Sequence, residues 1–474
     1  MTYTPRPGTI PTLDVPSLDG VRRIHMIGVG GAGMRNLARL LMARGIGITG
    51  SDLKDSKGLA ELRDAGAEVS VGHATDTIRE PDAIVISSAI REDNVELAEA
   101  RRRGTPVWMR AQALAAAAAQ LRTIAVTGTH GKTTTTAMVA LILERAGLDP
   151  TYVIGGDPNE TGSGARAGAG DLFVAEADES DGSFLLMNPA IGVVTNVDID
   201  HVDFYRGGRE EIEAAFTSFA SRCEHVVVCA DDAPAMRSVA AANVPSTTYG
   251  TSNPANVRVE IVAVGPGGAR ADVFVNGSRH VLVLAVDGAH NVLNAAAAVA
   301  TARLLGVEPS VAVEALGAYT GVHRRFERRG EARGAAFYDD YGHVPAELAV
   351  TLDVARRTRP DRLIAVFQPH RYSRTLALWP ELGSSLVEAD IVVVTDVFGA
   401  EQDPIPGVTG KLVVKGISAS APCKRVVYLP HRGEVVEFLH REVRPGDLVI
   451  TMGCGDVWML GDAALAGISA GDGT

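Results

Sequence analysis

Short apolar runs of β type alternate along the chain with stretches of helical character, the pattern of parallel-sheet α/β domains. Three such blocks separate. The first opens on an apolar strand at 23–27, reaches a second at 107–109 and closes on an Ala-rich helix at 113–119. The second opens on the strand 123–126 and runs to about Gly321. The third begins near His323, with strands at 336–338, 363–367, 391–394 and 448–451. The pattern predicts three α/β domains bounded at 1–121, 122–322 and 323–474. Residues 1–20 and 466–474 are expected to be loose arms.

Composition narrows the class. A length of 474 residues suits three domains of roughly 150 residues each. The net charge of −12 argues against nucleic-acid partners, which call for a basic footprint. The longest apolar runs, such as 137–143, are seven residues, far short of the roughly 20 that span a bilayer. No signal-peptide pattern opens the chain, and its four cysteines lack metal spacing, so reduced thiols and a cytoplasmic location are expected, with no membrane insertion. Whether the protein is a monomer or a homodimer stays open.

The most specific motif is Gly128-Thr129-His130-Gly131-Lys132-Thr133-Thr134, between the strand 124–126 and a helix at 134–146. Backbone N–H groups and a helix dipole aimed at one point suit a phosphate. Lys132 is placed for the terminal phosphates and the Thr133 hydroxyl for Mg²⁺, which implies an ATP-using enzyme. The generic spacing requires Gly where Val126 stands, so the loop is a compact variant.

A second turn, Gly28-Val29-Gly30-Gly31-Ala32-Gly33, follows the first strand, with Asp52 after the next one. Spacing alone leaves NAD and another nucleotide equally open. Glu176 and Asp178 would share one face of a strand, and the loop 195–203 follows another buried strand. Glu176, His201 and Thr133 could converge on Mg²⁺, although an ordinary solvated acidic loop is the alternative. Asn291 and Asn294 share a helix face; capping explains one of them and a ligand the other. Arg325 could reach phosphate oxygens or merely pair with Glu327. Asp340 and His343 follow one strand of the third block, and His370, Arg371 and Arg374 follow another, where two guanidiniums suit a carboxylate clamp.

Taken in order, HMIGVGGAGM, GTHGKTTTT, EADESDGSF, TNVDIDHVDFY, HNVLN, DDYGH and FQPHRYSRT resemble the Mur ligase family from Ile24 to about Leu460. The resemblance implies a Rossmann-like domain for a UDP-sugar, a central P-loop ATPase-type domain and a C-terminal Rossmann-like α/β domain. It implies ATP and Mg²⁺ as cofactors, and ligation of L-alanine to the carboxylate of UDP-N-acetylmuramate through an acyl phosphate. By the same resemblance Gly30, Gly31, Gly33 and Met34 would contact the uridine nucleotide, with Ser51 and Asp52 nearby. Lys132 would bind phosphates, and Thr133, Glu176 and His201 would organise Mg²⁺. Asn291, Asn294, Arg325 and Asp340 would bind ATP. His343, His370, Arg371 and Arg374 would line the place where substrate carboxylate and alanine meet, with His343 a candidate base. The sequence departs from the family at Arg35-Asn36-Leu37, where SGI is usual after GAGM. It departs again at Val344 and Ala346 within GHHPTE, and at Cys454, where Ala is common.

Overall fold

The computed structural model describes residues 14–87, 89–199, 204–265, 267–400 and 402–471. The chain forms two compact units, 1–322 and 323–474, and its α/β architecture comprises three domains built on three sheets.

The first sheet of the first unit is parallel throughout, in the order Glu68–Val71, Gly47–Asp52, Arg23–Ile27, Ala83–Ile86, Val107–Met109. Ile24, Met26 and Ile27 on its central strand are fully buried, because crossover helices cover both faces. The winding reverses beside Arg23–Ile27, which puts the turn at 28–33 at a topological switch point, where α/β sheets open a crevice.

The second sheet has ten strands. Its central strand Arg122–Thr127 runs parallel to Leu172–Glu176 on one side and Ile191–Val194 on the other, which makes a second switch point. An antiparallel meander, Val257–Gly265, Gly268–Val275 and Ser278–Leu284, extends one edge. The helices Lys132–Arg145 and Ala289–Leu304 lie against each other in one core. Residues 295–298 and 300, all alanines and all fully buried, allow that close approach.

The second unit holds a six-stranded sheet ordered Glu327–Ala332, Ala335–Asp340, Asp447–Met452, Arg362–Phe367, Ile391–Val394, Arg425–Tyr428. The first pair is antiparallel and the rest are parallel.

The expected carboxyl-terminal arm is corrected. The helix Trp458–Gly471 covers 466–471, and the buried Ala464 and Ile468 hold it against the core of the second unit. Most of the expected amino-terminal arm, and residues 472–474, lie outside the described residues. Among the described residues no helix is long and apolar enough to cross a membrane.

Candidate active site

The turn after Arg122–Thr127 is fixed by close approaches that only glycine permits. Gly128 has φ +132°, and a Cβ there would collide with Thr195 Oγ1. Gly131 has φ +81° and caps the helix Lys132–Arg145 without a side-chain hydrogen bond; its Cβ would lie 2.5 Å from Asn294 Oδ1. Asn294, 7% exposed, therefore stands against the loop. Asn291 instead turns its amide to Asp287 O at 2.7 Å, a local bond that secures the helix start.

The peptide of His130 is gripped from both sides. Its N–H donates to Asn196 Oδ1 at 2.8 Å, while its carbonyl accepts from Thr195 Oγ1 at 2.6 Å and Asn196 Nδ2 at 3.0 Å. Thr129 Oγ1 accepts from Asp198 N at 2.8 Å. Thr195 and Asn196 were not among the expected site residues. Their place just past a buried strand beside the loop's own strand was the available signal.

Lys132 Nζ donates to Gly128 O at 2.7 Å, Thr129 O at 3.2 Å and Glu179 Oε1 at 2.9 Å. Burial works against its charge, yet the carboxylates of Glu179, Asp178 and Glu176 outweigh burial and raise its pKa above the usual lysine value. The ammonium is therefore kept charged at neutral pH. The same crowding acts on Asp181: burial first, then Asp178, push its carboxyl up.

The strand ends at Glu176, so alternation does not extend to Asp178 as the sequence suggested. Glu176 Oε2 accepts from Gly155 N at 3.0 Å, whereas Asp178 Oδ2 lies 3.8 Å from Arg110 Nη2. A Cβ on Gly155 would stand 2.5 Å from Glu176 Oε2, and one on Gly156 would stand 3.5 Å from Thr133 Cγ2. That side-chain-free turn borders both Glu176 and the buried Thr133, and such oxygen donors suit a hard cation such as Mg²⁺. Among the described residues no three His, Cys, Asp or Glu side chains form a metal cage, and the third expected ligand, His201, lies outside them.

The turn at 28–33 is held differently. Gly30 N donates to Asp52 Oδ2 at 2.9 Å, and a Cβ on Gly30 would meet the same oxygen at 2.9 Å. Gly33 lies beside Arg110, 3.2 Å from its Nη1 by the same measure, and Met34 is buried in the core. Gly31 caps the helix Ala32–Ala43 with no side-chain bond. Ser51 is fully buried and donates to Glu96 Oε2 at 2.5 Å, with His73 Nδ1 at 2.8 Å from its hydroxyl. Glu96 also accepts from Thr77 Oγ1 at 2.7 Å and Ala74 N at 3.1 Å. Burial alone would raise the Glu96 carboxyl, but its contacts with His25, Ser51 and Thr77 bring it down to about 2. Ser51 thus belongs to a buried network with Glu96 and His73, two residues that sequence spacing did not single out.

In the second unit Asp340 is occupied by its own chain. Its Oδ1 accepts from Gly342 N at 2.7 Å and Thr351 Oγ1 at 3.0 Å, and its Oδ2 accepts from Phe326 N at 2.8 Å. Of the two neighbouring arginines, Arg324 is committed to Asp339 at 2.8 Å and to the carbonyls of Gly453 and Gly455. Arg325 lies over the Tyr341 ring, with Nη1 3.8 Å from Glu347 rather than on the anticipated Glu327.

His343 and His370 meet edge to face with ring centroids 5.7 Å apart, and His370 stacks on Phe398 at 5.7 Å. Arg374 Nη1 lies 3.5 Å from His370 Nδ1. Arg371 adopts φ +66° at the head of the helix Tyr372–Ser385, where its N–H donates to Phe398 O at 2.8 Å. Burial first, then His343, Arg374 and Arg371, lower the His370 pKa to about 2, so its imidazole is neutral and a poor acceptor for an ammonium proton. Val344 is buried at the start of the helix Pro345–Arg357.

Residues 23–122 match the Mur ligase family catalytic domain, 126–302 the Mur ligase middle domain and 324–455 the Mur ligase glutamate ligase domain. The chain is 46% identical over 453 residues to UDP-N-acetylmuramate–L-alanine ligase of Rubrobacter xylanophilus, covering 94% of this chain and 99% of the relative. It is 44% identical over 460 residues to the protein of that name from Thermobifida fusca, covering 94% and 96%. Among solved structures, UDP-N-acetylmuramate-alanine ligase of Thermotoga maritima superposes with a TM-score of 0.82 at 28% identity, over 95% of this chain and 99% of that one. A murein peptide ligase from Psychrobacter arcticus superposes with a TM-score of 0.76 at 24% identity, over 94% and 99%, a likeness of fold alone.

Proposed function

This chain belongs to the Mur ligase family, and from that premise we propose that it joins L-alanine to the carboxylate of UDP-N-acetylmuramate with cleavage of ATP to ADP and phosphate. The observation that carries this reading is the near-full-length likeness, at 44–46% identity, to relatives bearing the alanine-ligase name. The domains are bounded at 1–121, 122–322 and 323–474 in this reading, and the enzyme works in the cytoplasm.

The chemistry divides into two steps. An oxygen of the muramoyl carboxylate attacks the γ-phosphorus of ATP; that O–P bond forms, the β,γ-bridging O–P bond breaks, and ADP leaves. The amine of alanine then attacks the acyl carbon, the C–O bond to phosphate breaks, and the proton shed by the ammonium passes to a base. Lys132 and the Gly131 amide at the helix start would hold the phosphates and spread the charge of the transferring group, since the amides of Thr129 and His130 already donate to Asn196. Thr133 and Glu176 would hold Mg²⁺, which when bound neutralises phosphate charge. The turn at 28–33, with Asp52 bracing it, would hold the UDP end of the substrate. In the second unit Arg371 and Arg374 offer cationic ends for a carboxylate, with His343 the candidate base in place of the neutral His370.

Release of ADP, measured with UDP-N-acetylmuramate and a panel of amino acids, tests the reading. Turnover that requires both the sugar nucleotide and alanine (or glycine or serine) supports it. ADP release indifferent to any amino acid would reject ligation.

A further inference from the structure

Three acceptors surround the Lys132 ammonium, and they are not equivalent. Gly128 O and Thr129 O belong to the loop backbone, which Thr195 and Asn196 clamp through the neighbouring peptide. The third is Glu179 Oε1 at 2.9 Å, on a side chain only 3% exposed. The backbone of Glu179 is itself anchored, since Tyr205 Oη donates to its carbonyl at 2.6 Å from a buried position. A phosphate oxygen that reaches Lys132 Nζ must replace one of these acceptors, because an ammonium has three N–H bonds. The backbone carbonyls cannot leave without unmaking the loop. The Glu179 carboxylate is the one side-chain acceptor of the three, and an arriving polyphosphate repels it.

We propose that Glu179 is a positioning residue that holds Lys132 aimed along the loop, and that it gives up its place to a phosphate when nucleotide binds. Glu179 lies outside the residues assigned above to the reaction, and the proposal rests on the ATP reading of the loop. It makes Glu179 a competitor of phosphate for a single cation. Weakening the carboxylate then tightens nucleotides that reach Lys132 and leaves shorter ones unaffected. A purely structural role predicts no such discrimination by phosphate number.

The test is equilibrium binding of ATP, ADP and AMP, by calorimetry at neutral pH, to the full-length wild type and to Glu179→Gln. The amide keeps a hydrogen-bond acceptor near Nζ but removes the charge. ATP and ADP are expected to bind about tenfold tighter to the variant, with AMP within about twofold, as removal of one near repulsive charge implies. Unchanged or weaker ATP binding, or a parallel shift for AMP, overturns the proposal. If Glu179→Gln does not fold, Glu179→Asp decides by the same criteria; its carboxylate is drawn back by one methylene, and about threefold tightening for ATP is expected. A wild type that binds no ATP would instead sink the ATP reading itself, so the two failures are distinct.

Discussion

Two glycine turns follow the central strands of two sheets in the first unit, at 28–33 and 128–131, and both start a helix capped by glycine with no side-chain bond. Their backbone device is the same, and their charges are opposite. At the first turn a carboxylate, Asp52, takes the Gly30 N–H, and the helix opens on Ala32. At the second an ammonium, Lys132, is the first helical residue and bridges the turn's own carbonyls. A strand–glycine–helix turn therefore marks a phosphate-tolerant place without saying which nucleotide sits there. In the function proposed above, the charge beside it would separate a loop for a transferring phosphoryl group from one that holds a nucleotide as a handle.

The contrast breaks most sharply at Lys132. Lys132→Ala is expected to lower ADP formation by about 10³-fold or more, while UDP-N-acetylmuramate binding, read by calorimetry, stays within about twofold. Equal loss at both ligands would remove the division between the turns.

Paired alanine substitutions sharpen it next. Gly131→Ala faces φ +81° and a 2.5 Å approach to Asn294, a cost of about 2–4 kcal/mol that should weaken ATP about 10²-fold and lower the melting temperature. Gly31→Ala has φ −64° and no atom nearer than Gly28 O at 3.8 Å. It should melt like wild type and lose only UDP-sugar affinity, about tenfold, through closeness to the ligand.

Asp52→Asn comes third. It keeps an acceptor for Gly30 N–H but loses the charge, so UDP-sugar binding should weaken about fivefold with the KM for ATP unchanged.

The smallest effect is on stability. The folded Glu96 carboxyl titrates at about 2, below its unfolded value, so its contribution is complete above roughly pH 4.5 and fades as pH falls toward 2. Melting temperatures of wild type and Glu96→Gln should therefore differ most at pH 6–7 and converge in acid.

The two turns, the three-domain α/β architecture and four of the six strands of the third block were legible in the sequence, because parallel strands buried on both faces read as compact apolar runs. The edge strands Glu327–Ala332 and Arg425–Tyr428 are polar or half-exposed and were not. Nor was the meander at 257–284. Val262, Val281 and Val283 are exposed while Leu282 and Leu284 are buried, so apolar residues fall on both faces and the period-two signal is lost. The residues that gather at the loop were legible where a motif names them, as for Lys132 and Asn294. Glu179, Asn196 and Glu96 were not, because their roles depend on partners 47, 66 and 45 residues away. The contacts of Asp340 were not legible either: its oxygens accept from Phe326, Gly342 and Thr351.

The link between the two turns is tested most directly with UDP-N-acetylmuramate carrying ¹⁸O in both carboxylate oxygens, turned over with ATP and alanine. The account predicts one ¹⁸O in each phosphate released and one kept in the new amide, because the carboxylate held through the first turn is phosphorylated at the second. Phosphate free of ¹⁸O, with ADP still formed, would contradict it.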